Sequence, residues 1–338
     1  MATLTTLIPT FSFPHELDTL EFATEDVAEE FEVKINVDGV AILVANLAFG
    51  GNSTVSLCDL AKLIATRIND ATADVDIYIN DLVQGSCTCI PCRCKMDMTA
   101  EDFYRGHFLT RLNGYKNTAE NAVEMLSFFS DGAFVVKATA HFIGEDYTME
   151  TVEKVLLQDN ILNQICDFSF KVKDIAALRP DATLCDFTIS VGERKQKYIF
   201  ESWKPSAQLL SFVNAFGQRE TLMLTSVDTK VNAEIKTARI NGNEVNYDSK
   251  QKKIYTGHID YLPDTMVDVA ADMLVSPYLA TLPQNVVMRV RDGEVSYNNE
   301  DISIASLKVN YSESAALPAY QPTRRIRTFD LTFDNTFE

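Results

Sequence analysis

Apolar and polar residues alternate along most of this chain, and the dominant period is two. Phe31, Val33, Ile35 and Val37 are separated by polar positions, as in a strand with one buried face. Asp38-Gly39 is a hairpin signal, and the run from Val40 to Phe49 predicts a buried strand, broken by Gly50-Gly51-Asn52. Val75, Ile77 and Ile79 resume the period, and Phe134, Val136, Ala138, Ala140 and Phe142 repeat it. Leu162 to Val172 and Leu184 to Val191 predict further strands, with Gly192-Glu193 turning the chain into Tyr198-Ile199-Phe200. Later, Val231, Ala233, Ile235 and Ala238 lead to Ile240, Asn241-Gly242 signals a type I′ turn, and Ile254-Tyr255 and Ile259-Tyr261 lie on the return. A hairpin about Asp292-Gly293 and strands over Ile302 to Tyr311 and Thr328 to Phe337 close the pattern.

Four stretches carry a helical period instead. Ser56, with Asp59 at the third position, caps a helix over 57–69, whose Leu57, Leu60, Ile64 and Ile68 share a face. Thr99 and Asp102 form a capping box opening a helix over 99–109, and Thr118 opens another over 118–128. Asp264 caps a helix over 264–274 carrying Met266, Val269, Ala270, Met273 and Leu274, with Asp264, Asp268 and Asp272 on a solvated face.

These elements predict a mainly β, β-rich α+β fold. Two β-rich halves of sandwich or barrel type carry a few short helices. Residues 1–27 form an N-terminal arm, 28–203 a β-rich domain with short helices and a cysteine hairpin, and 204–338 a β-rich C-terminal domain. The boundary falls at the pause near Trp203-Lys204-Pro205. Phe11, Phe13, Leu17, Leu20 and Phe22 of the arm have too few apolar neighbours in sequence to fold alone. We expect them on a neighbouring subunit or partner; the alternative is that the arm folds back on its own domain.

A net charge of -18 over 338 residues argues against affinity for nucleic acid or acidic membrane surfaces. Arg324-Arg325-Ile326-Arg327 is a local exception, read as a solvated or interface patch. The opening MATLTTLIPTFSF has no basic residue before its apolar stretch, so no secretory signal is expected, and the run from Val40 to Phe49 is too short to span a bilayer. Seven cysteines in such a chain are expected as reduced thiols.

Four of them lie in CTCIPCRC. If Ile90-Pro91 is a two-residue turn, Cys89 faces Cys92 and Cys87 faces Cys94, with all four sulfurs on one face. Cys87, Cys89, Cys92 and Cys94 could then ligate a structural zinc. The other readings are free thiols, cross-strand disulfides, and a redox Cys89-Ile-Pro-Cys92 pair without the βαβ unit it needs. His107 sits near Glu101 and Asp102 as a candidate base, though a half-buried histidine is the commoner outcome. G-x-S-x-G, H-E-x-x-H, P-loop and dinucleotide-binding patterns are all missing, and the four histidines have no ligand spacing. Asn298-Asn299-Glu300-Asp301 lacks the calcium-loop pattern and reads as a loop. No enzyme is expected, and no cofactor beyond the zinc.

Several passages together carry a resemblance: AEDFYRGHFLTRLNGYKNTAENAVEMLSFF from Ala100, LLSFVNAFGQRETLMLTS from Leu209 to Ser226, DMLVSPYLATL from Asp272, and VVMRVRDGEVSYNNEDISIASLKVNY from Val286 to Tyr311. In this order they resemble tail-associated and other virion-structural proteins of phages and prophages of gut Bacteroidetes. The resemblance covers most of the chain from about residue 30, leaves out CTCIPCRC, and supplies no catalytic residue. It implies a structural subunit of a phage particle at the tail or fibre-attachment region. Such a subunit would be assembled in the host cytoplasm, would self-associate and dock on other virion structural proteins, and would bind neither membrane nor nucleic acid. The alternative is a glycan- or receptor-binding β module using Tyr147, Tyr278 and Tyr320. A zinc enzyme is disfavoured because four thiolates would close the coordination sphere.

Overall fold

The computed structural model describes residues 2–24, 30–49, 54–68, 71–201, 208–240, 243–298 and 304–314. The fold is mainly β, in four sheets that do not form a closed barrel. The boundary near 203–205, the Asn241-Gly242 turn, Asn299 to Asp301, Tyr320, the Arg324–Arg327 cluster and the strand over 328–337 lie outside the described residues.

The first segment holds β1 (Thr3–Leu4), β2 (Phe11–Ser12), a single 3-10 turn at Pro14–Leu17 and β3 (Leu20–Ala23). It is followed by β4 (Glu30–Val37), β5 (Val40–Ala48), β6 (Thr54–Leu57), α1 (Leu60–Ala65), β7 (Ala73–Ile79) and β8 (Leu82–Cys89). These build two sheets, ordered β1-β3-β6 and β2-β8-β7-β4-β5. The period-two residues behave as predicted on β4 and β7, where Val33, Ile35, Val75, Ile77 and Ile79 are buried. β5 does not: it lies at the edge of its sheet, pairing with β4, and Val40 and Val44 are exposed. The predicted helix over 57–69 is shortened to α1. Asp59 takes a left-handed conformation (φ 64°), and the Ala61 N–H is capped by Asp18 Oδ1 at 3.0 Å.

The N-terminal arm is part of this body, correcting its expected role. Phe13, Leu17, Leu20 and Phe22 are buried within their own chain, and Phe11 packs on Tyr104 at 4.2 Å between ring centres. β2 joins β8 in parallel, and the Glu16 carboxylate accepts from the backbone N–H groups of Phe13 and Ala100. The apolar neighbours missing from the local sequence are supplied by sheet residues far along the chain.

Next come α2 (Ala100–Gly106), β9 (Tyr115–Ala119), β10 (Val123–Ile143), β11 (Met149–Lys171), α3 (Val172–Ala176), β12 (Thr183–Val191) and β13 (Arg194–Glu201). α2 begins as predicted, with Thr99 Oγ1 accepting from the Asp102 N–H. The helix expected over 118–128 is instead the end of β9 and the start of β10; β9 pairs with β13 and β10 with β11, so tertiary pairing overrides the local helical period. The sheet runs β11-β10-β12-β13-β9, leaving the 23-residue β11 at an edge.

The last group is β14 (Gln208–Val213), β15 (Arg219–Leu224), β16 (Ser226–Ile240), β17 (Asn243–Leu262), α4 (Val267–Val275), β18 (Leu279–Leu282), β19 (Val286–Asn298) and β20 (Ile304–Glu313). The sheet β15-β14-β18-β19-β20-β17-β16 curls until its two edge strands meet at Thr225, whose N–H donates to His258 O at 2.9 Å. α4 fills the concave side with Val269, Ala270 and Met273, all fully buried against Leu210, Phe212 and Leu222. The hairpin predicted at Asp292-Gly293 is absent: β19 runs straight through with a register shift between Val290 and Asp292. Gly293 serves close approach, since a Cβ there would stand 2.5 Å from the Leu274 side chain of α4. Among the described residues no helix is long and apolar enough to cross a membrane.

Candidate functional site

The cysteine hairpin does not form. β7 and β2 occupy both sides of β8, so nothing is left for residues 92–94 to pair with. Cys87 and Cys89 point into the core beneath the first two sheets, whereas Cys92 packs with Phe13, Ile90 and Phe103 in a separate cluster. All seven cysteines are free, which removes the cross-strand disulfides. Among the described residues no group of three or more His, Cys, Asp or Glu side chains is arranged to hold a metal, so the four-thiolate set is not assembled. Burial pushes the Cys87 thiol up to about 12 and that of Cys89 up as well, keeping both protonated.

His107 ends α2 with its ring stacked on Phe103 at 5.2 Å. Burial, with a smaller contribution from Arg194, holds its pKa below the ordinary value; no carboxylate acts on it as expected of a base. His141 does meet a carboxylate: its Nδ1 lies 2.6 Å from Asp186 Oδ1. β10 and β12 place the two directly opposite in register, a pairing that their sequence separation hides.

The most organised polar group is a seam between β9–β10 and β14–β15. Lys116 Nζ donates to Glu124 Oε2 at 2.7 Å and to the Thr221 backbone O, with both charged side chains buried. Thr118 and Thr221 donate to the two Glu124 oxygens at 2.6 and 3.0 Å. Alongside, Glu220 accepts from Thr110 Oγ1 at 2.9 Å and Asn214 Nδ2 at 3.0 Å, and burial pushes its carboxyl pKa up. Asp272, expected on a solvated face, is buried; it accepts from Arg111 and from the Ala215 N–H, and burial raises its pKa. Every charge in the seam has a partner. Lys116, Glu124 and Glu220 are all buried, so the arrangement ties β9–β10 to β14–β15.

Two further features lie at the surface of the described residues. A cavity of about 730 Å³ lies where Thr72, β11 and the β14–β15 turn converge, and Arg219 stands over its Tyr278 ring at 5.0 Å. The other is a β16–β17 ribbon. Among the described residues β20 pairs with β17 only from Tyr255 onward, and Lys230 to Ile240 and Asn243 to Ile254 pair only with each other. At about 3.3 Å per residue this two-stranded ribbon reaches roughly 36 Å. Val227, half-buried against the core, shares a strand face with Val231 and Ile235, which are 53% and 55% exposed.

No protein-family model matches this chain, and no curated protein does either.

Proposed function

We propose that this chain is a structural subunit of a phage particle, working at the tail or fibre-attachment region by self-association and docking to other virion proteins. The β16–β17 ribbon carries the reading. A two-stranded ribbon is at best marginally stable in water, and this one continues an apolar face beyond the core that covers it. Its Lys230–Ile254 stretch has six basic and three acidic residues in a chain of net charge -18, so an acidic second copy is a complementary partner. β11, a 23-residue edge strand with Val155 and Leu162 exposed, offers a further pairing surface.

Sedimentation and negative-stain microscopy of the purified chain test this. Rings, fibres or discrete oligomers are expected, and Val231→Lys with Ile235→Lys should dissolve them without lowering the melting temperature. A wild type that stays monomeric across the concentration range overturns self-association. Mass spectrometry of particles purified from a host carrying the gene tests the virion assignment, which fails if the chain is absent from them.

The second reading, a glycan- or receptor-binding module, is favoured by the Tyr278 cavity, where an aromatic face, Arg219, Gln164 and Asp167 converge. Glycan-array binding lost in Tyr278→Ala would support it.

A further inference from the structure

The loop between β8 and α2 brings together three sulfurs. Cys92 Sγ and Cys94 Sγ are 3.6 Å apart, and Cys94 Sγ is 3.7 Å from Met96 Sδ. The spacing Cys-x-Cys-x-Met allows this because residues 90–99 form neither helix nor strand and the chain folds on itself there. The first part of the loop is pinned: the Ile90 N–H donates to Ser12 O, and the Arg93 N–H to Ala215 O at 2.8 Å. A metal–sulfur bond of about 2.3 Å makes sulfurs at these separations subtend roughly 105° at a shared ion. Cys92 is buried, while Cys94 and Met96 are half-buried. A cavity of about 230 Å³ opens over Met96, with Met98 and the His107 imidazole on its wall, giving an ion a way in lined by further soft donors.

We propose that Cys92, Cys94 and Met96 form a binding site for a thiophilic monovalent cation of the Cu(I) class. Two thiolates and a thioether are a soft donor set, preferred by Cu(I) over harder divalent ions that seek oxygen and nitrogen. The third donor is a thioether, so the set is separate from the four-cysteine zinc arrangement, which the fold does not assemble. On binding, Cu(I) replaces the protons of the Cys92 and Cys94 thiols, releasing both to solvent; two thiolate–copper bonds and one dative thioether–copper bond from Met96 form, with no change of oxidation state. The resulting site has net charge minus one.

The test uses the full chain, reduced and free of oxygen, titrated with Cu(I) against a coloured Cu(I) chelator. One equivalent withheld per chain is expected, with a sulfur-to-copper charge-transfer band in the ultraviolet. Cys94→Ser and Met96→Leu, which alter partly exposed donors, should weaken retention more than about tenfold while leaving the circular dichroism unchanged. Cys58→Ser and Cys185→Ser should retain copper as the wild type does. On unmutated protein, one equivalent of Ag(I) should slow alkylation of Cys94 and leave that of Cys58 unchanged. The proposal is overturned if the wild type withholds no copper, if Cys94→Ser withholds as much as wild type, if Zn(II) displaces Cu(I) at equal concentration, or if Ag(I) protects Cys58 and Cys94 alike.

Discussion

Single residues in the buried seam make the sharpest predictions. Lys116 and Glu124 are both buried, so Lys116→Ala strands a buried carboxylate and should cost about 3–5 kcal/mol, read as a lower denaturation midpoint. Glu220 is the opposite case, a carboxyl whose pKa burial raises. The folded state therefore binds its proton more tightly than the unfolded chain does. Its contribution is fully present below the ordinary carboxylate pKa of 4.5 and is lost as pH rises through the higher folded value. Glu220→Gln keeps an oxygen for Asn214 and an amide for Thr110 but cannot ionise. Denaturation of both proteins at a series of pH values should show the variant gaining on the wild type as pH rises from 4.5 through the raised folded pKa; a constant difference would contradict the assignment.

At the scale of elements, the N-terminal strands are the clearest correction and give their own prediction. Phe13 is buried against Phe103 and Phe216, so Phe13→Ala should cost about 3–5 kcal/mol. Deleting residues 1–24 should lower the melting temperature of the isolated chain sharply, because β8 loses its β2 partner and α1 loses the Asp18 cap. Calorimetry of the truncated protein checks this; an unchanged melt would restore the arm as a detachable docking element. The β16–β17 ribbon is expected to behave the other way: shortening it by paired residues from the tip should spare the melt and weaken assembly.

Across the whole molecule, the seam decides cooperativity. Thr110 and Lys116, from the first half of the chain, bond to Glu220 and Thr221 of the second, and Leu209 and Met223 join the core formed by β10 and β12. Halves sharing a core and buried charge pairs should unfold together. A single calorimetric transition is expected for wild type. Two well-separated transitions would mean that the seam does not couple the halves.

The residues themselves determined the strand content, the alternating faces of β4, β7, β10 and β12, the Thr99 cap of α2 and the apolar face of α4. Each depends on neighbours a few positions away, where side-chain period and capping chemistry act. What the cysteines do was not legible, because strand pairing decides it: β2 arrives from far along the chain to claim the edge of β8 that a hairpin would have needed. The same holds for 118–128, where local helical spacing lost to pairing with β11 and β13, and for Asp272, whose solvent was replaced by Arg111 and the Ala215 N–H. The sulfur trio was written in the chain as Cys-x-Cys-x-Met, yet only the folded loop draws its donors to within 3.7 Å, because neighbours along an extended chain are held apart until long-range contacts fold it.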